Sequence, residues 1–397
     1  MIARLYRPLL RQSYFLLGPR GTGKTSWLKS ESAGVRSVSQ SNSEPLNYID
    51  LLEAEAFNQL LVRPDRLAEF IQDPKQPVVI DEIQKIPALL DEVHRLIEKS
   101  SRTKNPLIFV LTGSSARKLK RSGANLLAGR AISDELFPLT ACELKTQFSL
   151  KKALVYGMLP SVWGGEHPRE YLQSYVKNYL KEEVQQEGLV RNLPAFSRCL
   201  EALSFSQASS LNISNVAADC SVPRKTVEGF IQILEDTLIA RRLTCFSRRA
   251  TRELTTHPKF FYFDVGVFRT LRPRGPLDSD SQITGFALET LVFQEVLALN
   301  SYLRLQYSLH FWRTAKGEEV DFVLYGEKGL IAIEVKSSDR LRETDFVGLE
   351  LFGSDYPVAR RYLLYAGEKS YLRNGIQVMP LKKFFETCSS ILDSDHS

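Results

Sequence analysis

The chain has 397 residues, 43% apolar and 25% charged, which suits two or three globular domains and excludes a disordered or low-complexity protein. A formal net charge of +6 permits an anionic partner without demanding one. No apolar run approaches the roughly 18 residues of a membrane span, and the N-terminal arginines are not followed by the apolar core of a signal peptide.

In chain order, the first strong signal is YFLLGPRGTGKTSWLKS. Tyr14 to Leu17 reads as a short apolar strand, and a helix is expected from Lys24. Between them, Gly18, Pro19, Arg20, Gly21, Thr22, Gly23, Lys24 and Thr25 fit GxxxxGK[ST] at every required position. Glycines let backbone N–H groups wrap phosphates without a clashing Cβ, and the new helix presents its positive end. Lys24 is then placed to reach the β- and γ-phosphates of ATP, and Thr25 to hold Mg2+.

The run PVVIDEIQKIP ends an apolar strand in Asp81 and Glu82. Acids at the carboxyl end of a buried strand face the crevice where ligands bind in open α/β sheets. Asp81 is the expected Mg2+ residue and Glu82 the expected general base. The plainer reading is a surface acidic pair opening the next helix. A further strand, LIFVLTGSS, ends in Thr112, Ser114 and Ser115, where a polar side chain could orient the water between Glu82 and the γ-phosphate. In LLAGRAISDELFPL, Arg130 precedes another strand and suits an arginine finger, often acting on a neighbouring subunit, or else a surface ion pair. Strands near 14–17, 46–50, 77–81, 107–111 and 131–136, alternating with helices, predict a parallel sheet covered on both faces.

From about 139 to 190 the text is helical without a catalytic pattern, which suits a lid and linker. NISNVAADCSVPRKTVEGFIQILEDTLIARRL then shows helix-turn-helix spacing, with Val227, Phe230, Ile231 and Leu234 on one stripe. The stretch TCFSRRATRELTTHP reads as a wing. Five arginines fall between Arg241 and Arg252, suited to phosphate contacts with DNA, or else simply solvated beside a packing motif. The cysteines Cys142, Cys199, Cys220, Cys245 and Cys388 form no CxxC pair, which argues against a zinc site or disulfide framework and for a reducing, cytoplasmic setting.

The last signal is EVDFVLYGEKGLIAIEVKSS, two strands around a tight turn. Strand alternation puts Asp321 opposite to Phe322 and Leu324, and Glu334 with Lys336 on one face. Upstream, Glu289 interrupts the apolar helix GFALETLVFQEVLAL. Glu289, Asp321 and Glu334 around a Mg2+, with Lys336 beside them, would make a phosphodiester-cutting site. The alternative is a hairpin in which Glu334 and Lys336 neutralise each other.

The order of LLGPRGTGKT, VVIDEIQKIP, LTGSSARKL, LAGRAISDELFPL, PKFFYFDVG and the final hairpin resembles AAA-type ATPases that carry a C-terminal domain of unknown function, number 4143. The resemblance covers nearly the whole chain. It implies an α/β architecture: a parallel-sheet P-loop NTPase of the AAA+/ASCE type at 1–138 and a helical lid at 139–190. A winged helix at 191–275 and a mixed α/β, restriction-endonuclease-like PD-(D/E)XK domain at 276–397 would follow. It also implies ATP and Mg2+ at the P-loop and a nuclease-like centre at Glu289, Asp321, Glu334 and Lys336. Val320, not proline, precedes Asp321, and there is no clear second arginine sensor. Two functions are therefore expected as alternatives. One is an ATP switch controlling a DNA-directed nuclease module; the other is a non-cleaving, ATP-gated DNA-binding or signalling regulator. A homo-oligomer, a protein partner and the absence of a membrane role accompany both.

Overall fold

The computed structural model describes residues 2–9, 12–29, 47–103, 105–114, 131–179, 192–248, 252–275 and 278–394. The chain divides into two compact units, Met1–Pro138 with Asp236–Leu238, and Leu139–Glu235 with Ile239–Ser397.

The first unit is built on five parallel strands in the order β2-β3-β4-β1-β5. These are β1 (Ser13–Leu17), β2 (Tyr48–Asp50), β3 (Val78–Asp81), β4 (Phe109–Gly113) and β5 (Ala131–Glu135). Every residue of β1, β3 and β4 is buried, which is why their sequences read as unbroken apolar runs and not as alternation. The helix Leu89–Ser100 lays Leu89, Val93 and Leu96 into the same core, a stripe at helical spacing. Strand β4 lies between β1 and β3, so the ends of the P-loop strand and the acidic strand are separated by one strand that closes with Thr112 and Gly113.

The second unit begins with short helices at Ala141–Leu144, Leu150–Tyr156, Pro160–Gly164 and Pro168–Ser174. The stretch expected as a lid thus belongs to this unit up to residue 179; residues 180–191 lie outside the described set. Two buried acids tie it in. Met158 N donates to Asp264 Oδ2 at 2.7 Å, and Ala141 N donates to Glu295 Oε2 at 2.8 Å. The first contact requires glycine at two positions. A Cβ on Gly157 (φ 74°) would stand 2.1 Å from Asp264 Oδ1, and one on Gly266 would stand 2.1 Å from the Tyr156 carbonyl.

The helices Leu193–Ser204, Ile213–Cys220 and Arg224–Asp236 follow, with a small sheet ordered β6-β8-β7 from β6 (Ser209–Ser210), β7 (Ala240–Leu243) and β8 (Lys259–Tyr262). Asn212 caps the second helix through Ser214 N and Asn215 N, and Ser221 ends it in the left-handed region at φ 53°. Val227, Phe230, Ile231 and Leu234 are buried, as the stripe predicted.

The C-terminal part is a mixed six-stranded sheet ordered β13-β14-β12-β11-β10-β9. Its strands are β9 (Ser308–Arg313), β10 (Glu319–Gly326), β11 (Gly329–Lys336), β12 (Arg360–Tyr365), β13 (Tyr371–Arg373) and β14 (Ile376–Pro380). Helices Asp280–Tyr302, Val347–Asp355 and Leu381–Asp393 pack against it or against one another. The first of these is apolar on several sides and correspondingly buried over most of its length.

Glu295 makes this packing pH-dependent. Burial pushes its carboxyl up to about 8 from 4.5, against the Ala141 and Cys142 N–H groups that favour the charged form. Between those values the folded protein holds a proton that the unfolded chain releases, so stability is greatest at the acidic end and falls as pH rises toward 8. The Glu295 share of the slope is at most about 1.4 kcal/mol per pH unit, beside that of Glu334, also pushed up to about 8. Glu295→Gln is expected to flatten it, read as urea midpoints at several pH values across this window; an unchanged slope would remove Glu295 as its source.

Candidate functional site

At the carboxyl edge of the first sheet, β1 runs into the glycine-rich loop. Gly21 (φ 83°) and Gly23 (φ 91°) take left-handed conformations that other residues resist. Gly18 is required for a different reason, since a Cβ there would meet the Leu136 carbonyl oxygen at 2.5 Å. Lys24 is buried and lies back across the loop, donating to the Gly18 carbonyl at 2.6 Å and the Pro19 carbonyl at 3.2 Å. Thr22 N and Oγ1 both donate to the Pro19 carbonyl. Arg20 is exposed at the turn.

Asp81, 1% exposed, stands where three elements meet. Its Oδ2 accepts from Thr25 Oγ1 at 2.9 Å and from the Tyr48 hydroxyl at 2.5 Å, and its Oδ1 accepts from Thr112 Oγ1. Glu82 follows at φ 63°, ψ 42°, left-handed for a residue with a Cβ, a strain of about 1–2 kcal/mol. Its backbone N–H donates to Thr112 Oγ1 at 3.2 Å. Gln84 Nε2 donates to Glu82 Oε2 and, at 3.3 Å, to Ser114 Oγ. The structure therefore brings Gly18 to Thr25, Asp81, Glu82 and Ser114 to one sheet edge. Arg130 lies outside the described residues.

Sequence reasoning missed two residues here. Tyr48 comes from β2, in register with Val79, and nothing in its own stretch marks it. Arg4 is buried, donating to the Thr22 carbonyl at 2.8 Å and the Phe137 carbonyl at 2.6 Å, so it braces the loop against the end of β5. It had drawn notice only as one of several N-terminal arginines.

The second candidate is the acidic hairpin. Asp321 and Glu334 meet as expected. Asp321 N donates to Glu334 Oε2 at 3.2 Å, Val335 N donates to Asp321 Oδ2 at 3.0 Å, and Lys336 Nζ stands 2.6 Å from Glu334 Oε1. The pairing of β10 with β9 shifts register between Val320 and Val323, on either side of Asp321. The residue that sequence reasoning missed is Lys259 of β8, 2% exposed. Its ammonium is 3.0 Å from Asp321 Oδ1 and 3.4 Å from Glu289 Oε2, and also pairs with Glu319.

This corrects the expected metal set. The cation among Glu289, Asp321 and their neighbours is Lys259, and both oxygens of Asp321 and of Glu334 already have partners. Among the described residues no group of three His, Cys, Asp or Glu side chains is disposed to hold a metal ion. As arranged, the residues do not fit Mg2+. Burial works against the Lys259 charge, but Asp321, Glu289 and Glu319 outweigh it and hold the ammonium well above its ordinary range. Burial and the Asp321 charge push Glu334 up to about 8.

Of the stretch read as a wing, residues 249–251 lie outside the described set; on either side of them Cys245 bridges to Phe311 and Leu254 to Thr314, and Phe246 is buried with Trp312 and Phe352, so these flanks pack along β9. Arg242 pairs with Glu235, Arg248 stacks over the Tyr325 ring at 4.7 Å and Arg252 pairs with Asp355. Arg249 lies outside the described residues. Arg224 and Lys225 are exposed at the start of their helix, Arg224 with its guanidinium on Glu228.

Among the described residues no helix is long and apolar enough to cross a membrane. Family models match three successive stretches: an AAA domain at residues 10–145, a domain of unknown function (DUF8612) at 147–278 and a domain of unknown function (DUF4143) at 284–384. The middle match runs across the expected boundary at 190. An uncharacterized protein of Mycobacterium tuberculosis is 25% identical over 399 residues, 98% of this chain and 84% of its own length. An uncharacterized protein of Haemophilus influenzae is 22% identical over 83% of this chain and 84% of its own. Among solved structures, the Aeropyrum pernix Orc1 protein in complex with DNA covers 66% of this chain and 86% of that chain at 13% identity. Its TM-score is 0.28. The chain is thus similar to an AAA domain over residues 10–145 and to a DUF4143 domain over 284–384.

Proposed function

We propose that this protein binds and hydrolyses ATP and uses the nucleotide as a switch on a second unit that contacts DNA without cutting it. The observation that carries the ATPase reading is Asp81, whose carboxylate gathers Thr25 from the P-loop and Thr112 from the adjacent strand. Backbone N–H groups from Gly18 to Thr25 cradle the phosphates, and Lys24 turns from the loop carbonyls to the β- and γ-oxygens. Thr25 and Asp81 offer hard oxygen donors, which suit Mg2+. Mg2+, when bound, offsets the negative charge that develops on the transferring phosphoryl group. Glu82 takes the proton of the attacking water, with Gln84 and Ser114 fixing its orientation. Arg130 supplies the finger, either within its own subunit or to a neighbour in a homo-oligomer.

For the second unit, the lysine among the carboxylates favours the non-cleaving alternative over the nuclease one. Its helix-turn-helix and small sheet act as a winged helix whose DNA contact is the exposed start of Arg224–Asp236, with Arg224 and Lys225. A protein partner on that face is the outcome if DNA fails to bind.

Lys24→Ala is expected to abolish ATP binding. Glu82→Gln is expected to keep binding and lower turnover by about 10²–10⁴-fold, measured as phosphate release beside nucleotide-binding titrations. Wild-type turnover in Glu82→Gln would remove Glu82 as the base. For DNA, two phosphate contacts predict that log K falls against log salt with a slope of about −2. A slope of about −4 or steeper would return the Arg241–Arg252 stretch to the interface, and no binding at low salt would remove DNA as the partner.

A further inference from the structure

The cation at the centre of the C-terminal domain comes from outside its hairpin. Lys259 opens β8, paired through the backbone with Ser210 of β6 on one side and Leu243 of β7 on the other. Its stem is buried, and its ammonium lies 5.7 Å from the centroid of the Phe311 ring. From there it reaches Glu289 on the helix Asp280–Tyr302 and Glu319 and Asp321 on β10, while Arg313 stands 3.5 Å from the second oxygen of Glu319. Glu334 and Lys336 pair with each other beside this group.

Asp321 is buried and Glu289 and Glu319 are partly buried beside it, so the three carboxylates repel one another and lose hydration, and a cation between them offsets both costs. An ammonium supplies it from a strand paired on both sides, with its buried stem beside the Phe311 ring. A divalent ion cannot share the place. It would need the same oxygens at about 2.0–2.6 Å and would face the ammonium charge directly.

We infer that Glu289, Glu319 and Asp321 form a metal-free ion-pair lock closed by Lys259, which fastens the β6-β8-β7 sheet to the C-terminal sheet and keeps divalent cations out. The lock stands whether or not the P-loop hydrolyses ATP, and its test is run without nucleotide.

Mn2+ is titrated into the full-length protein and into Asp321→Asn, with free Mn2+ read by electron paramagnetic resonance. Neither protein is expected to take up one equivalent below about 1 mM, the weak end of biological divalent sites. A one-to-one site in the wild type that disappears in Asp321→Asn overturns the inference. In parallel, Lys259→Met, which keeps the stem and removes the charge, is expected to lower the thermal midpoint by about 10 °C. Adding Asp321→Asn to Lys259→Met should then cost less than Asp321→Asn costs alone. A Lys259→Met midpoint within about 1 °C of wild type overturns the lock. If Lys259→Met does not fold, Glu319→Gln carries the stability arm, with an expected drop of a few degrees, and an unchanged midpoint there counts against the lock.

Discussion

A carboxylate taken out of water must meet a cation or a set of N–H donors, and the second unit is assembled around that requirement. Lys259 answers it for Asp321 and Glu289 with an ammonium. Asp264 answers it with three backbone N–H groups, from Met158, Gly266 and Val267. Glu295 uses the N–H groups opening the helix Ala141–Leu144 and stays protonated well above the ordinary carboxyl range because those donors do not offset its burial. Each answer joins segments far apart in sequence. That is why residues 139–179, the helix-turn-helix stretch and the final sheet form one compact unit.

The first unit solves the same problem at Asp81. Asp81 is buried at the end of β3 and is satisfied entirely by hydroxyls, from Thr25, Tyr48 and Thr112. Hydroxyls hold a carboxylate without neutralising it, so the site keeps negative charge beside a loop whose backbone N–H groups attract anions. Placing β4 between β1 and β3 is what delivers Thr112 to that point. The left-handed turn at Glu82 swings the next carboxylate out of the strand direction at a local cost, the kind of strain held where geometry matters more than stability.

Legibility from sequence differed between the two candidate sites. The P-loop was fully readable because its residues are contiguous and each has a local reason, a positive φ, a close approach or a charge at a helix start. Asp81 was readable from its position at the end of an apolar run. Tyr48 and Arg4 were not, since they reach the site only through strand order and through a contact spanning the unit. The meeting of Asp321, Glu334 and Lys336 around the hairpin was also foreseen. Its chemistry was not, because Lys259 sits 62 residues before Asp321 in a stretch that reads as an ordinary apolar strand.

The sequence by itself determined the P-loop, the acidic strand end, the parallel-sheet first unit and the buried stripe of the helix Arg224–Asp236. These follow from local sterics and from the periodicity of neighbouring residues. Only the tertiary structure decided what the charges do. Whether a lysine solvates, grips a phosphate or plugs an acidic centre depends on which distant side chains stand within about 4 Å of it, where Coulomb energies in a poorly solvated interior become decisive. The arginines between β7 and β8 and the carboxylates around Lys259 were correctly counted along the chain, and their roles were set by folding against β9 and β10.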